Sequence, residues 1–188
     1  MISPVFPIGH GVGPYFAGDP MRHVVRIGRT AEFLSEPEFR VWELAHRSAE
    51  VTNLLAECEA ARVDDAEQHL DALLRRGVLA PVDDAVAFAH RYRLRPLFVG
   101  LGNRPDDPGH FAIGVPGLEP LATVGPMTYE LWQWGWVAPS LWAHCEVLAT
   151  IGEQVGEEPG APAAELGTVL DGVFALLSRF VVVLDTVS

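Results

Sequence analysis

The chain has 188 residues, 49% hydrophobic and 20% charged, which is enough apolar material for one ordinary domain or two small ones and too much for a disordered segment. Thirteen arginines against 25 acidic residues leave a formal charge of −12, shared between residues 1–92 (9 basic against 14 acidic) and 93–188 (4 against 11), so both halves on average repel a phosphate backbone. No run of about 18 apolar residues offers a membrane span, and two cysteines, Cys58 and Cys145, one per half, make no disulfide framework. The first residues lack a basic start followed by an apolar core, so the expectation is a cytoplasmic protein without a membrane partner.

In chain order, Pro4–Ile8 (PVFPI) predicts a short edge strand, where proline is tolerated, with a counterpart at Pro96–Leu101 (PLFVGL). Gly9, Gly11 and Gly13 around His10 have neither the spacing nor the following helix of a nucleotide-binding loop, and they read as a flexible loop. His23–Gly28 and Thr30–Leu34 are β-branched and aromatic, and Gly28-Arg29 between them predicts a hairpin. Ser35 followed by Glu38 is a capping box, which starts a first helix near Glu36 that runs to about His46 with Phe39, Trp42 and Ala45 inward. Ser48 is placed to cap a second helix over Ala49–Ala61, and Asp64 or Asp65 a third through Arg76 that points Ala66, Leu70, Leu73 and Leu74 to the core. Gly77 fits a left-handed helix end, Val78–Val82 a closing strand, and Asp83–Arg95 a linker with helix at Ala85–Tyr92.

The second half repeats this sketch. Glu36–Trp42 (EPEFRVW) answers to Pro126–Trp132 (PMTYELW) at an offset of 90, which matches Phe39 to Tyr129 and Trp42 to Trp132. His110–Gly114 and Leu121–Val124 stand for the hairpin, Pro126–Gly135 and Ala138–Ala149 for the first two helices, and Val181–Leu184 for the closing strand. An insertion at Thr150–Ala163 moves the third helix, Leu166–Phe180, to an offset of 103. The predicted fold is therefore α+β: two winged-helix-like domains, 1–92 and 93–188, each β-β-β-α-α-α-β and related by internal duplication.

No residue pattern names a reaction. Seven histidines are scattered without a zinc-helix spacing, adjacent His144 and Cys145 diverge by about 100° on a helix, no serine lies in a nucleophile elbow, and no lysine exists for a phosphate loop. Asp83-Asp84 and Asp106-Asp107 read as turn residues. The expectation is no catalytic residue, no cofactor and no metal, and an enzyme built on the Gly9–Gly13 loop is the least favoured class. Four of five tryptophans fall between positions 132 and 142, which points some of them to the core and at least one to an interface. The third helix of the first half carries Asp64, Asp65, Glu67 and Asp71, unlike a base-reading helix, and the apolar third helix of the second half suits a domain contact or a homodimer.

The first half resembles the PqqD-like family, the winged-helix recognition elements of ribosomal peptide modification systems. The likeness rests on the strands before three helices, on FRVWELAHRSAEVTNLLAEC and on DAEQHLDALLRRGVLAPV, and covers roughly residues 20–83 and, more faintly, 108–185. The family is usually a single copy; this chain has a tryptophan-rich second copy. The resemblance implies that a leader peptide adds as a strand to the hairpin edge, here Thr30, Ala31, Glu32, Phe33 and Leu34, and lies against a third helix that presents His69, Leu73 and Arg76. The leading expectation is a non-catalytic module that binds a peptide or protein, with recognition of a leader peptide for a modification enzyme as the role the resemblance implies. The alternative is a tandem winged-helix DNA-binding regulator using Arg22, Arg26, Arg29, Arg91, Arg93 and Arg95, which steeply salt-dependent DNA binding would reveal.

Overall fold

The computed structural model describes residues 3–16, 21–154 and 160–187. The fold is mixed α+β, with seven helices and several small antiparallel sheets among the described residues. The chain divides into two compact units: one comprises residues up to Asp83 together with Leu184–Thr186, the other Asp84–Val183 with Val187.

In the first unit, β1 (Val5–Pro7), β2 (His10–Tyr15), β3 (Arg22–Ile27) and β4 (Thr30–Leu34) precede α1 (Glu36–Leu44), α2 (Val51–Ala60), α3 (Ala66–Arg75) and β5 (Leu79–Pro81). The predicted hairpin is β3–β4, closed with Ile27 opposite Thr30 and with Gly28 at φ +55°, the first turn position, where a two-residue hairpin favours glycine. The capping box also forms: Ser35 Oγ accepts from the Glu38 N–H, and the Glu38 carboxylate accepts from the Ser35 N–H.

Three local expectations need correction. Gly9–Gly13 is not a flexible loop, because His10–Tyr15 pairs along β3 with a bulge between Gly11 and Gly13. Ser48 does not cap α2, which starts after Glu50 without a side-chain cap; the Ser48 hydroxyl donates instead to Glu57, 2.6 Å away. Asp65 does occupy the N-cap of α3, but it sits in the left-handed region and makes no capping bond.

β1 pairs with β5 as predicted strands, all three β1 residues being buried. The core gathers Val25, Leu34, Trp42, Leu54, Leu70 and Leu73 between sheet and helices. Above it runs a stack of rings: His23 lies 4.2 Å from Phe39, and Phe39 5.5 Å from Trp42, whose indole N–H donates to the Ile8 carbonyl at 3.2 Å. A Cβ on Gly11 would stand 3.3 Å from the Trp42 ring, a tight contact that the ring would have to relieve by a few tenths of an ångström. Leu184–Thr186 complete the unit, with the Leu184 carbonyl accepting from the Gly9 N–H at 2.7 Å and buried Asp185 accepting from the Gly28 N–H.

In the second unit, α4 (Ala85–Arg91) is capped by Asp84, whose carboxylate accepts from the Val86 and Ala87 N–H groups, a role the turn reading of Asp83-Asp84 did not include. There follow β6 (Tyr92–Pro96), β7 (Val99–Arg104), β8 (Asp107–Gly114), β9 (Ala122–Val124), α5 (Pro126–Trp134), α6 (Leu141–Gln154), α7 (Pro162–Leu177) and then β10 (Val182–Thr186), of which only Val182 and Val183 belong to this unit. Pro96–Leu101 is thus no single strand: Leu97 and Phe98 separate β6, which pairs with β10, from β7, which pairs with β8. β7 carries a bulge between Gly100 and Gly102, and Phe111, Tyr129 and Trp132 form a second ring stack with spacings of 4.6 and 5.4 Å.

The predicted insertion extends α6 and starts α7 earlier than expected, and its residues 155–159 lie outside the described residues. α7 packs against both α5 and α6, with Leu166, Val169, Val173, Leu176 and Leu177 buried, while Asp171 is exposed. Among the described residues no helix is long and apolar enough to cross a membrane.

Candidate functional site

β4 is an edge strand: among the described residues only β3 pairs with it. The hairpin register decides which of its backbone groups are committed. Thr30 faces Ile27 across a two-residue turn and so exchanges hydrogen bonds with it, as do Glu32 and Leu34 with their partners. The N–H and C=O groups of Ala31 and Phe33 therefore point away from the sheet. One of the four already has a donor, since the Arg76 guanidinium reaches from the C-terminus of α3 to the Phe33 carbonyl at 3.0 Å.

Arg76 is the hub of this edge. Its Nε and Nη2 both donate to one Glu32 oxygen, at 3.1 and 2.9 Å, and Nη1 donates to Glu38 at 3.0 Å. Glu38 divides its carboxylate between tasks, one oxygen accepting from Ser35 and the other from Arg76. Burial pushes the Glu38 pKa up, but the Ser35 hydrogen bonds, then Arg76 and then His69, outweigh it and hold the group below the ordinary carboxylate value.

The structure thus brings Thr30–Leu34 and Arg76 together and sets His69 near Glu38. Leu34 and Leu73 are fully buried and present no surface to a partner. Alternation along β4 sends Ala31 and Phe33 to the outer face of the sheet, where Phe33, 46% exposed, meets Tyr15 edge-to-face at 5.5 Å. Glu38 was missed as part of this cluster because its visible role is to cap α1. The available signal was that a carboxylate has two oxygens and the capping box uses one.

The other candidates separate from this edge. Arg22, Arg26 and Arg29 are exposed in the first unit; in the second, Arg91 is exposed while Arg93 and Arg95 are half-buried on β6 rather than in a linker. α3 exposes Glu67, Gln68 and Asp71. Cys58 and Cys145 are buried free thiols, and burial raises both pKa values, with Glu165 and Glu146 helping to bring Cys145 up to about 11. Thiols so protonated are poor nucleophiles. Among the described residues no three His, Cys, Asp or Glu side chains gather as metal ligands. Trp132 is buried, whereas Trp134 and Trp136 are 58% and 48% exposed. No protein-family model, curated protein or solved structure matches the chain.

Proposed function

We propose that this protein is a non-catalytic recognition module, a duplicated pair of winged-helix-like domains whose first copy captures an extended peptide or protein segment at the β4 edge. The observation that carries the reading is the open edge itself, with outward N–H and C=O groups on Ala31 and an outward N–H on Phe33 beside α3. The duplication is supported by parallel detail. In each unit a three-stranded antiparallel sheet precedes three helices, and β1 pairs with β5 as β6 does with β10. In each, a glycine-flanked bulge faces the stacked aromatic pair, Phe39 with Trp42 or Tyr129 with Trp132.

The edge also sets what the partner brings. Outer-face side chains of an added strand lie beside Phe33 and Tyr15, which favours apolar or aromatic residues there. Those on the inner face meet Arg76 and Glu38, so an acidic residue would compete with Glu32 for the guanidinium. Peptides selected from a displayed random library, titrated against the full chain, are expected to shift the amide signals of Thr30–Leu34. Ala31→Pro removes an outward N–H without breaking a bond to β3, so it is expected to abolish binding and leave the fold intact. Selected peptides that bind the Ala31→Pro variant as tightly as the parent would refute the reading.

A further inference from the structure

We propose that the groove between α5 and α6 in the second unit binds an amphipathic amine, its hydrocarbon body against Trp134 and Val147 and its ammonium group donating to His144 and Glu130.

The groove has a volume of about 540 Å³, within the usual range for small-molecule sites, and its walls are apolar: Trp134, Val137 and Val147 are 58%, 62% and 50% exposed although each is hydrophobic. Its lining includes His144, which is only 5% exposed. A second, smaller chamber of about 60 Å³ shares Glu130, His144 and Leu148 with the groove and is also lined by Thr128 and Thr168. Glu130 and His144 are therefore common to both cavities, beside mostly apolar walls.

His144 offers a ligand in the groove an open acceptor. Its backbone N–H is used by the Ser140 carbonyl, but its imidazole makes no hydrogen bond among the described residues. Its ring nitrogens are not sealed from solvent, so a bound donor would meet an acceptor that no protein group occupies. Burial lowers the His144 pKa, so the ring is neutral near pH 7 and offers an acceptor nitrogen.

The charge of the ligand follows from its surroundings. The Glu130 carboxylate has no ion-pair partner among the described residues. Residues 93–188 carry 11 acidic side chains against 4 arginines, so an anionic head would be repelled and an ammonium group attracted. This site shares no residue with the β4 edge, so either reading can fail without the other.

The test titrates the full chain with hexylammonium, hexanol and hexanoate at pH 7 and follows the indole N–H signal of Trp134, assigned with Trp134→Phe. Hexylammonium is expected to give a saturable shift and hexanoate none. Glu130→Gln and His144→Leu, each checked for an unchanged circular dichroism spectrum, are expected to weaken binding about tenfold. Equal responses to all three probes, unchanged affinity in both variants, or no saturable shift would each overturn the proposal. So would a Trp134 signal that moves with protein concentration alone, since a second copy of the chain would then fill the groove.

Discussion

His46 follows Trp42 by one helical turn, sits 4.6 Å from its ring and donates from Nδ1 to its carbonyl at 3.1 Å. Burial takes its pKa down to about 4 from an ordinary 6.5, against the smaller upward pull of the backbone hydrogen bonds. Because the folded value lies below the unfolded one, the unfolded chain takes the proton first. The stability this group contributes is therefore complete above pH 6.5 and is lost as the pH falls toward 4, by on the order of 3 kcal/mol. Urea unfolding of the wild type and of His46→Phe at pH 7 and pH 5 checks this: the wild type is expected to lose stability between the two and the variant to lose less. Glu38 adds acid sensitivity of the same sign from its ordinary carboxylate value downward, and buried His144 adds it in the same window as His46, so the difference between wild type and variant is what reports His46. That His46 would be buried was legible, since it follows the inward Phe39, Trp42 and Ala45 at helical spacing; that its ring would bond back to Trp42 was not.

Among the elements, the β3–β4 hairpin and the start of α1 were legible because their signals are local: a Gly-Arg turn between two β-rich runs, and a serine three residues before a glutamate. β2 was not, because its Gly- and Pro-rich sequence has weak strand preference and becomes a strand only by pairing with β3. Ser48 shows the converse, a residue with the right chemistry for a cap that finds a better partner in Glu57. The candidate site lies between these cases. β4 could be read as a hairpin strand, but the bonds from Arg76 to Glu32 and Glu38 cross 44 and 38 residues and exist only in the folded chain. Arg76→Ala is expected to cost about 0.5–1 kcal/mol in urea unfolding, since the Arg76 side chain is 31% exposed and water screens its ion pairs. The same variant should raise the Glu38 pKa, followed through its carboxyl carbon signal, and should release the Phe33 carbonyl for one more bond to an added strand.

At the scale of the molecule, the 90-residue offset read from EPEFRVW and PMTYELW matched Phe39 to Tyr129 and Trp42 to Trp132, whose rings adjoin within each pair at 5.5 and 5.4 Å, yet it left the groove of the second unit invisible. Glu130, His144 and Thr168 lie on three helices, and no periodicity within one of them announces a shared cavity. Nor did composition foresee that Leu184–Thr186 group with residues before Asp83. Asp185→Ala strips the Gly28 N–H of its acceptor and is expected to destabilise the first unit by about 1–3 kcal/mol. Hydrogen exchange would register this as faster exchange in β3 and β4, and unchanged protection there would refute it.

The place of Leu184–Thr186 in the first unit also constrains how the protein is made. A ribosome that has delivered residues up to Asp83 has produced three helices and five strands but not the Leu184 carbonyl that receives the Gly9 N–H, nor the carboxylate that holds the Gly28 turn. The nascent first unit must wait for about a hundred further residues, several seconds or more at ordinary elongation rates, before those bonds can close. During that interval its β4 edge is already synthesised, with the Ala31 backbone groups turned outward before the carboxylate that holds the hairpin turn exists.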